Sequence, residues 1–121
     1  MGHFQALRAW QKARQFASLS KDAIAELPSS ERFGLADQWR RAAYSVPLNL
    51  AEGAARRSQR DFRRYVVTAR GALDELESIL SLVEGLGYLP PDRLAVLKEV
   101  RADCGRMVYG LLRKLNEACN V

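Results

Sequence analysis

Apolar residues recur at steps of three and four along most of the chain, which is the spacing of one buried face of an α-helix. The clearest case follows Ser58, where the steps alternate between four and three over about eight helical turns. The apolar positions of this segment are Phe62, Val66, Ala69, Leu73, Leu76, Leu80 and Val83. No alternating run rich in Val, Ile and Thr, of the kind that forms a β-sheet, is found in the sequence. The pattern therefore predicts an all-α protein.

Prolines, glycines and capping residues divide this pattern into four predicted helices. The first covers about residues 4–26, the second about residues 31–52, the third residues 58–87, and the fourth follows Pro90-Pro91. Short connections between long helices make consecutive helices antiparallel neighbours. We therefore predict one domain, residues 1–121, that folds as an antiparallel up-down-up-down four-helix bundle.

The second predicted helix contains a proline, Pro47, in its interior. A proline there removes a backbone donor and clashes with the carbonyl four residues earlier, at a cost of about 3 kcal/mol or more. The apolar spacing nevertheless continues from Ala43 through Val46 to Leu50, which predicts a kink in the helix and not its end. Gly53 is the predicted C-terminal cap, because glycine tolerates the left-handed conformation found there.

A polar row lies on one flank of the apolar face of the second predicted helix. Its members are Gln38, Arg41, Ser45, Asn49 and Glu52. The residues leave two interpretations open: the row is a half-solvated edge, or it is a polar seam against another helix or another subunit. In a seam, Asn49 and Glu52 would fix the register or the geometry of the partner.

Positive charge is concentrated in one part of the chain. The net charge is +5, but residues 40–70 carry eight arginines against Glu52 and Asp61, a net of +6, so the other residues sum to −1. Five of these arginines fall within residues 56–64, and a helical wheel puts them opposite the apolar face of the third helix. We expect them to face solvent, and we call them the arginine cluster: Arg56, Arg57, Arg60, Arg63 and Arg64.

The arginine cluster is the predicted binding site for an anionic partner. Arginine binds phosphate as a bidentate fork, and cations near the start of a helix are disfavoured by its macrodipole. Nucleic acid, RNA or DNA, is the leading prediction, with Arg40 and Arg70 as weaker candidates. No recognised RNA module is present, so we expect backbone contact and not base readout. Two alternatives stay open: an ordinary solvated face, or a protein-interaction scaffold whose cluster docks an acidic partner protein.

Residues for catalysis and metal binding are missing from the sequence. The single histidine is His3, and the sequence has no Cys/His metal set, no phosphate-binding glycine loop and no Ser-His arrangement. Cys104 and Cys119 are expected to be reduced thiols. We therefore predict no enzyme, no catalytic residue, no metal and no cofactor. No apolar run approaches the roughly 18 residues that span a bilayer, and no signal peptide is recognised, so we predict a cytoplasmic protein without membrane association.

Three segments resemble a known bacterial family: FQALRAWQKA, ERFGLADQWRRAAYSVPLNLAEGAARRSQRDF and ARGALDELESILSLVEGLGYL. They are similar to the four-helix-bundle family named after the 23S rRNA intervening sequence protein, over residues 4–89. The most specific blocks are Gly34-Leu35…Gln38…Arg40-Arg41-Ala42 and Pro47…Asn49…Ala51-Glu52-Gly53. The chain departs from the family at Leu48, usually a small polar residue, and at Gly71-Ala72, usually Gly-Ser.

The resemblance implies a small four-helix bundle that assembles as a ring-like homopentamer. Some family members are encoded within insertions in 23S rRNA genes, and enzymatic activity is not established for the family. A related protein, the accessory variability determinant of diversity-generating retroelements, is a basic pentameric bundle that binds nucleic acid and a reverse transcriptase. By this resemblance Pro47, Asn49 and Glu52 match the family motif, and a patch repeated five times would carry Arg56, Arg60, Arg63 and Arg64. The residues alone do not give the size of the oligomer.

Overall fold

The computed structural model describes residues 3–120, which form four long α-helices and no strand. The helices are α1 (Arg8–Ile24), α2 (Leu35–Ala54), α3 (Gln59–Leu86) and α4 (Pro91–Cys119), and single turns of 3-10 helix at Phe4–Ala6 and Ser29–Glu31 precede α1 and α2. The predicted all-α class is confirmed. Within residues 3–120, no helix is both long enough and apolar enough to cross a membrane.

Each helix packs against two others. Helix α1 packs against α2 and α4, and α3 packs against the same two helices. Consecutive helices are therefore neighbours, and the first helix closes the structure against the last. This arrangement confirms the predicted up-down-up-down four-helix bundle.

Trp39 of α2 is completely buried in the core. Its indole Nε1 donates a hydrogen bond to the hydroxyl of Ser20 on α1, at 3.0 Å, and Ser20 is itself fully buried. An indole N–H left unpaired in the core would cost about 1–3 kcal/mol. The bond therefore satisfies both polar groups and joins α1 to α2.

The ends of α3 and the start of α4 lie where the sequence predicts them, whereas α2 begins at Leu35, four residues after its predicted start, because Ser29–Glu31 form a 3-10 turn. Ser58 caps α3, since its hydroxyl accepts from the backbone N–H of Asp61 at 3.1 Å, and Gly87 ends α3 in the left-handed conformation with φ 70°. Pro91 occupies the first turn of α4. The predicted start of the first helix at Phe4 is wrong, because Leu7 has an extended backbone that separates the 3-10 turn from α1.

Helix α2 continues through Pro47 to Ala54, as the apolar spacing predicts. The prediction that Gly53 caps this helix is wrong, because Gly53 lies inside α2 and is buried. A Cβ atom added to Gly53 would lie 2.8 Å from Cβ of Tyr65 and 2.9 Å from Cδ1 of Phe62. Because Gly53 has no side chain, α2 and α3 can approach each other closely at this position.

Replacing Gly53 with alanine is expected to lower the free energy of unfolding by about 1–3 kcal/mol, because the new methyl group must displace Tyr65 and Phe62. Gly71 in α3 is a matched control, since a Cβ there would meet no atom within 4 Å. Gly71→Ala is expected to raise the free energy of unfolding by about 0.5–1 kcal/mol through helix propensity. Urea unfolding curves measure both values. A Gly53→Ala protein as stable as the wild type would contradict the close approach of the two helices.

Candidate nucleic-acid interface

The arginine cluster lies at one end of the bundle, where α2 passes into α3. Residues 55–58 form the whole connection between the two helices. The close packing at Gly53 holds one side of this turn, and the Ser58 cap holds the other. The backbone of the cluster is therefore fixed by helix packing and capping.

Arg56 is bonded within the bundle. Its guanidinium pairs with the carboxylate of Glu52, donates to the Tyr65 hydroxyl at 2.7 Å, and lies over the Tyr65 ring at 4.8 Å from the ring centre. A guanidinium over an aromatic ring contributes about 0.5–1 kcal/mol at an exposed site. These contacts join the end of α2 to the first turns of α3.

Arg63 reaches from α3 to the last turns of α4. Its Nε donates to the side-chain oxygen of Asn116, and the side chain is half-buried. The helical wheel predicts a solvent-facing side chain, because a wheel represents one helix and leaves out the helix packed beside it. Arg63 therefore contributes to packing as well as to charge.

Arg57, Arg60 and Arg64 are exposed, as Arg56 is, but unlike Arg56 they make no hydrogen bond across the turn between α2 and α3. The Arg64 guanidinium is 3.9 Å from the Asp61 carboxylate, and a pair this exposed contributes about 0–1 kcal/mol. Arg57 and Arg60 form no ion pair with any of residues 3–120. These three guanidinium groups can bind an external anion without breaking the packing of the bundle.

The two weaker candidates lie apart from the exposed arginines. Arg40 is near the start of α2, about 21 Å along the helix axis from the last residue, Ala54, at 1.5 Å per residue, and its guanidinium is 3.8 Å from the Asp37 carboxylate. Arg70 is exposed on α3, about 15 Å along the axis from Arg60. The fold brings the five members of the cluster together and separates Arg40 from them.

The polar row of α2 makes its hydrogen bonds locally. Asn49 donates to the carbonyl and the hydroxyl oxygen of Ser45, at 2.8 and 3.0 Å. Arg41 pairs with Asp37 at 3.2 Å, and Gln38 is exposed. These bonds stay within α2, so they do not make a seam between helices of one chain. A seam between subunits stays a prediction.

Two residues at the site have no counterpart among the sequence predictions, Tyr65 and Asn116. Two guanidinium groups lie over the Tyr65 ring, that of Arg56 at 4.8 Å and that of Arg64 at 5.9 Å from the ring centre. Nothing in the local sequence indicates Asn116, because it meets Arg63 from 53 positions away. The ion pair of Glu52 with Arg56 has a local signal, the i,i+4 spacing of opposite charges on a helix.

The shifted pKa values lie outside the cluster. Burial raises the pKa of the Cys104 thiol to about 12, so this thiol stays protonated at neutral pH. The hydrogen bond that the Tyr88 hydroxyl donates to Glu31, at 2.8 Å, raises the pKa of Tyr88. Over residues 3–120, no three His, Cys, Asp or Glu side chains come close enough together to hold a metal ion.

The fold and the sequence agree with one known protein family. The family model of the 23S rRNA-intervening sequence protein matches residues 5–110, and the chain belongs to this family. A solved structure of a protein of unknown function, from the S23 ribosomal protein family of Bacteroides thetaiotaomicron, is similar with a TM-score of 0.80. The two chains are 18% identical, and the match covers 87% of this chain and 95% of the other. At this identity the likeness shows a shared fold. No curated protein matches the chain.

Arg63→Ala is expected to lower the free energy of unfolding by about 1–2 kcal/mol, because it removes a partly buried hydrogen bond from a charged donor. Arg60→Ala removes the same side chain one turn earlier, at an exposed position, and is expected to change the free energy of unfolding by less than about 0.5 kcal/mol. Chemical denaturation of the two variants measures the difference. Equal losses would contradict the distinction between a packed Arg63 and an exposed Arg60.

Proposed function

We propose that this protein is a non-enzymatic, oligomeric helical bundle that binds the backbone of nucleic acid through the arginine cluster. The observation that carries the proposal is that Arg57, Arg60 and Arg64 are exposed, while residues 56–64 contain one acidic residue, Asp61, to offset their charge. The protein would act in the cytoplasm, without a cofactor.

The binding energy in this proposal comes mainly from the release of counterions. Each phosphate that an arginine neutralises frees condensed cations, and the logarithm of the affinity falls with the logarithm of salt by about 0.7 per contact on a single strand. Three exposed arginines predict a slope of about −2 for one chain on this basis. Contacts to phosphate position a strand without reading its sequence, so we expect little sequence preference.

The rigid start of α3 supports the proposal in a second way. The Ser58 cap and the contacts of Arg56 with Tyr65 hold the backbone from which the exposed arginines project. A preorganised surface loses less conformational freedom when a ligand binds than a flexible loop does. The remaining cost is the ordering of the arginine side chains themselves.

The proposal includes a homo-oligomer, and the family resemblance gives a pentamer as its expected size. An open groove of about 590 Å³ between α2 and α3 supports it, because Gln38, Arg41 and Ser45 of the polar row line this groove. Phe33 at the groove is 86% exposed and Leu48 on α2 is 67% exposed, and a subunit interface would remove both from water. Several copies of the cluster would raise the affinity for one long strand by avidity.

The nucleic-acid proposal predicts salt-sensitive binding of labelled RNA and DNA, both single- and double-stranded, between about 50 and 200 mM salt. Arg57→Glu/Arg60→Glu is expected to weaken binding at least about tenfold and to make the salt dependence shallower, because two phosphate contacts become repulsive. Fluorescence anisotropy measures the affinity.

The matched control is Lys21→Glu/Arg32→Glu, which changes the net charge by the same amount near the α1–α2 turn, at the other end of the bundle. It is expected to keep most of the affinity. Equal loss in the two variants would indicate attraction by net charge and reject the site. No binding by the wild type at the lower salt concentration would reject the function and favour an acidic partner protein as the ligand of the cluster.

The oligomer proposal predicts a mass in solution near five times the 13.6 kDa of one chain. Phe33→Asp is expected to shift the population to smaller species, because it places a charge in the proposed interface. Light scattering after size-exclusion chromatography measures both masses. A wild-type protein with the mass of one chain would contradict the oligomer.

A further inference from the structure

A second groove lies between α1 and α2, beside the turn that connects them. Its volume is about 530 Å³, within the range of clefts that hold ligands. The floor is aliphatic and consists of Ile24, Leu27, Ala36 and Ala43, all buried in the core. We call it the α1–α2 groove.

The rim of the α1–α2 groove is positively charged. Lys21, Arg32 and Arg40 line it, and among residues 3–120 no aspartate or glutamate does. Lys21 and Arg32 are exposed and have no ion pair in that part of the chain. The Arg40 guanidinium is 3.8 Å from the Asp37 carboxylate, a contact loose and exposed enough to exchange for another partner.

The floor of the groove offers carbon surface and few polar groups. Ser20 lies at the groove, but its hydroxyl already accepts the hydrogen bond of Trp39 at 3.0 Å. Residues 3–120 contain no buried side-chain nitrogen or oxygen without a partner. The ring of Tyr44, 42% exposed, adds an aromatic surface to the lining. The groove therefore combines an apolar base with cations around it.

We propose that the α1–α2 groove binds an acidic peptide segment of a partner protein, anchored by an aliphatic or aromatic side chain. The anchor fills the aliphatic floor, and carboxylates on either side of it pair with Lys21, Arg32 and Arg40. This site goes beyond the proposed nucleic-acid site, because it lies at the other end of α2 from the arginine cluster and takes a different class of ligand.

The aliphatic floor favours a peptide over a nucleotide. The edges of a nucleobase carry hydrogen-bond donors and acceptors, and burying one of these against carbon without a partner is unfavourable. A leucine or phenylalanine side chain carries none, and its burial is favourable. The cations fit carboxylates and phosphates alike, so the floor is the feature that discriminates.

Three synthetic peptides of about twelve residues test the proposal by fluorescence anisotropy with the full chain. The first has leucines at positions i, i+3, i+4 and i+7 and glutamates elsewhere, the second has serine for every leucine, and the third has lysine for every glutamate. The first peptide is expected to bind at least about tenfold more tightly than either of the others, because only it matches both the floor and the rim.

Variants of the protein locate the binding. Lys21→Glu/Arg32→Glu is expected to weaken binding of the first peptide at least about tenfold, whereas Arg57→Glu/Arg60→Glu, with the same change of charge, leaves it unchanged. Ala25→Trp alters an exposed residue of the groove lining and is expected to weaken binding by filling the groove at constant charge. Circular dichroism confirms that each variant folds.

Four results would overturn the proposal: no binding of the first peptide, equal binding of the serine peptide, loss of binding in Arg57→Glu/Arg60→Glu, or competition by a short RNA for the α1–α2 groove. The last result would assign the groove to nucleic acid. If the peptide fails while RNA still binds in a manner that depends on Arg57 and Arg60, the groove proposal falls and the proposed function stands.

Discussion

The close approach of α2 and α3 at Gly53 is the constraint on which the candidate site depends. With a hydrogen in place of a side chain, the backbone of α2 comes near enough to α3 that an added Cβ would lie 2.8 Å from Cβ of Tyr65. This contact leaves residues 55–58 to connect the helices and places Tyr65 beneath the Arg56 guanidinium. A packing contact between two apolar surfaces thus determines where a strongly charged surface lies.

The five arginines of the cluster differ in what they contact. Arg56 and Arg63 are bonded to Tyr65 and Asn116, so part of their charge is used in joining α2, α3 and α4. Arg57, Arg60 and Arg64 stay exposed, where they repel one another and interact unfavourably with the start of α3. An anion that binds there relieves this repulsion. Under the proposed function, ligand binding depends on the three arginines that make no bond across the turn, whereas stability depends on Arg56 and Arg63.

The fold could be predicted from the sequence because its signals are local. The apolar spacing of α3, the Ser58 cap and the Gly87 end each act within one segment, and all three are present in the structure. The prediction that Gly53 is a cap is wrong because a glycine near a helix end serves as a cap or as a packing contact, and the choice depends on the helix that lies opposite it. The role of Arg63 is equally hard to predict from the sequence, since its hydrogen-bond partner, Asn116, is 53 positions away. Sequence patterns therefore indicate the arginine cluster as a whole. Which of its members are bonded to other parts of the bundle depends on how the helices pack, and only the structure shows this.

Cross-linking is the sharpest test of nucleic-acid binding by the arginine cluster, because it identifies the residues that lie against a bound strand. Single-stranded RNA that carries 4-thiouridine would be bound to the full chain at low salt, irradiated and digested, and the cross-linked peptides sequenced. Binding through the arginine cluster predicts adducts in the segment from Arg56 to Tyr65, where Arg56 and Arg64 lie over the Tyr65 ring. Adducts confined to other parts of the bundle, with none in this segment, would contradict it.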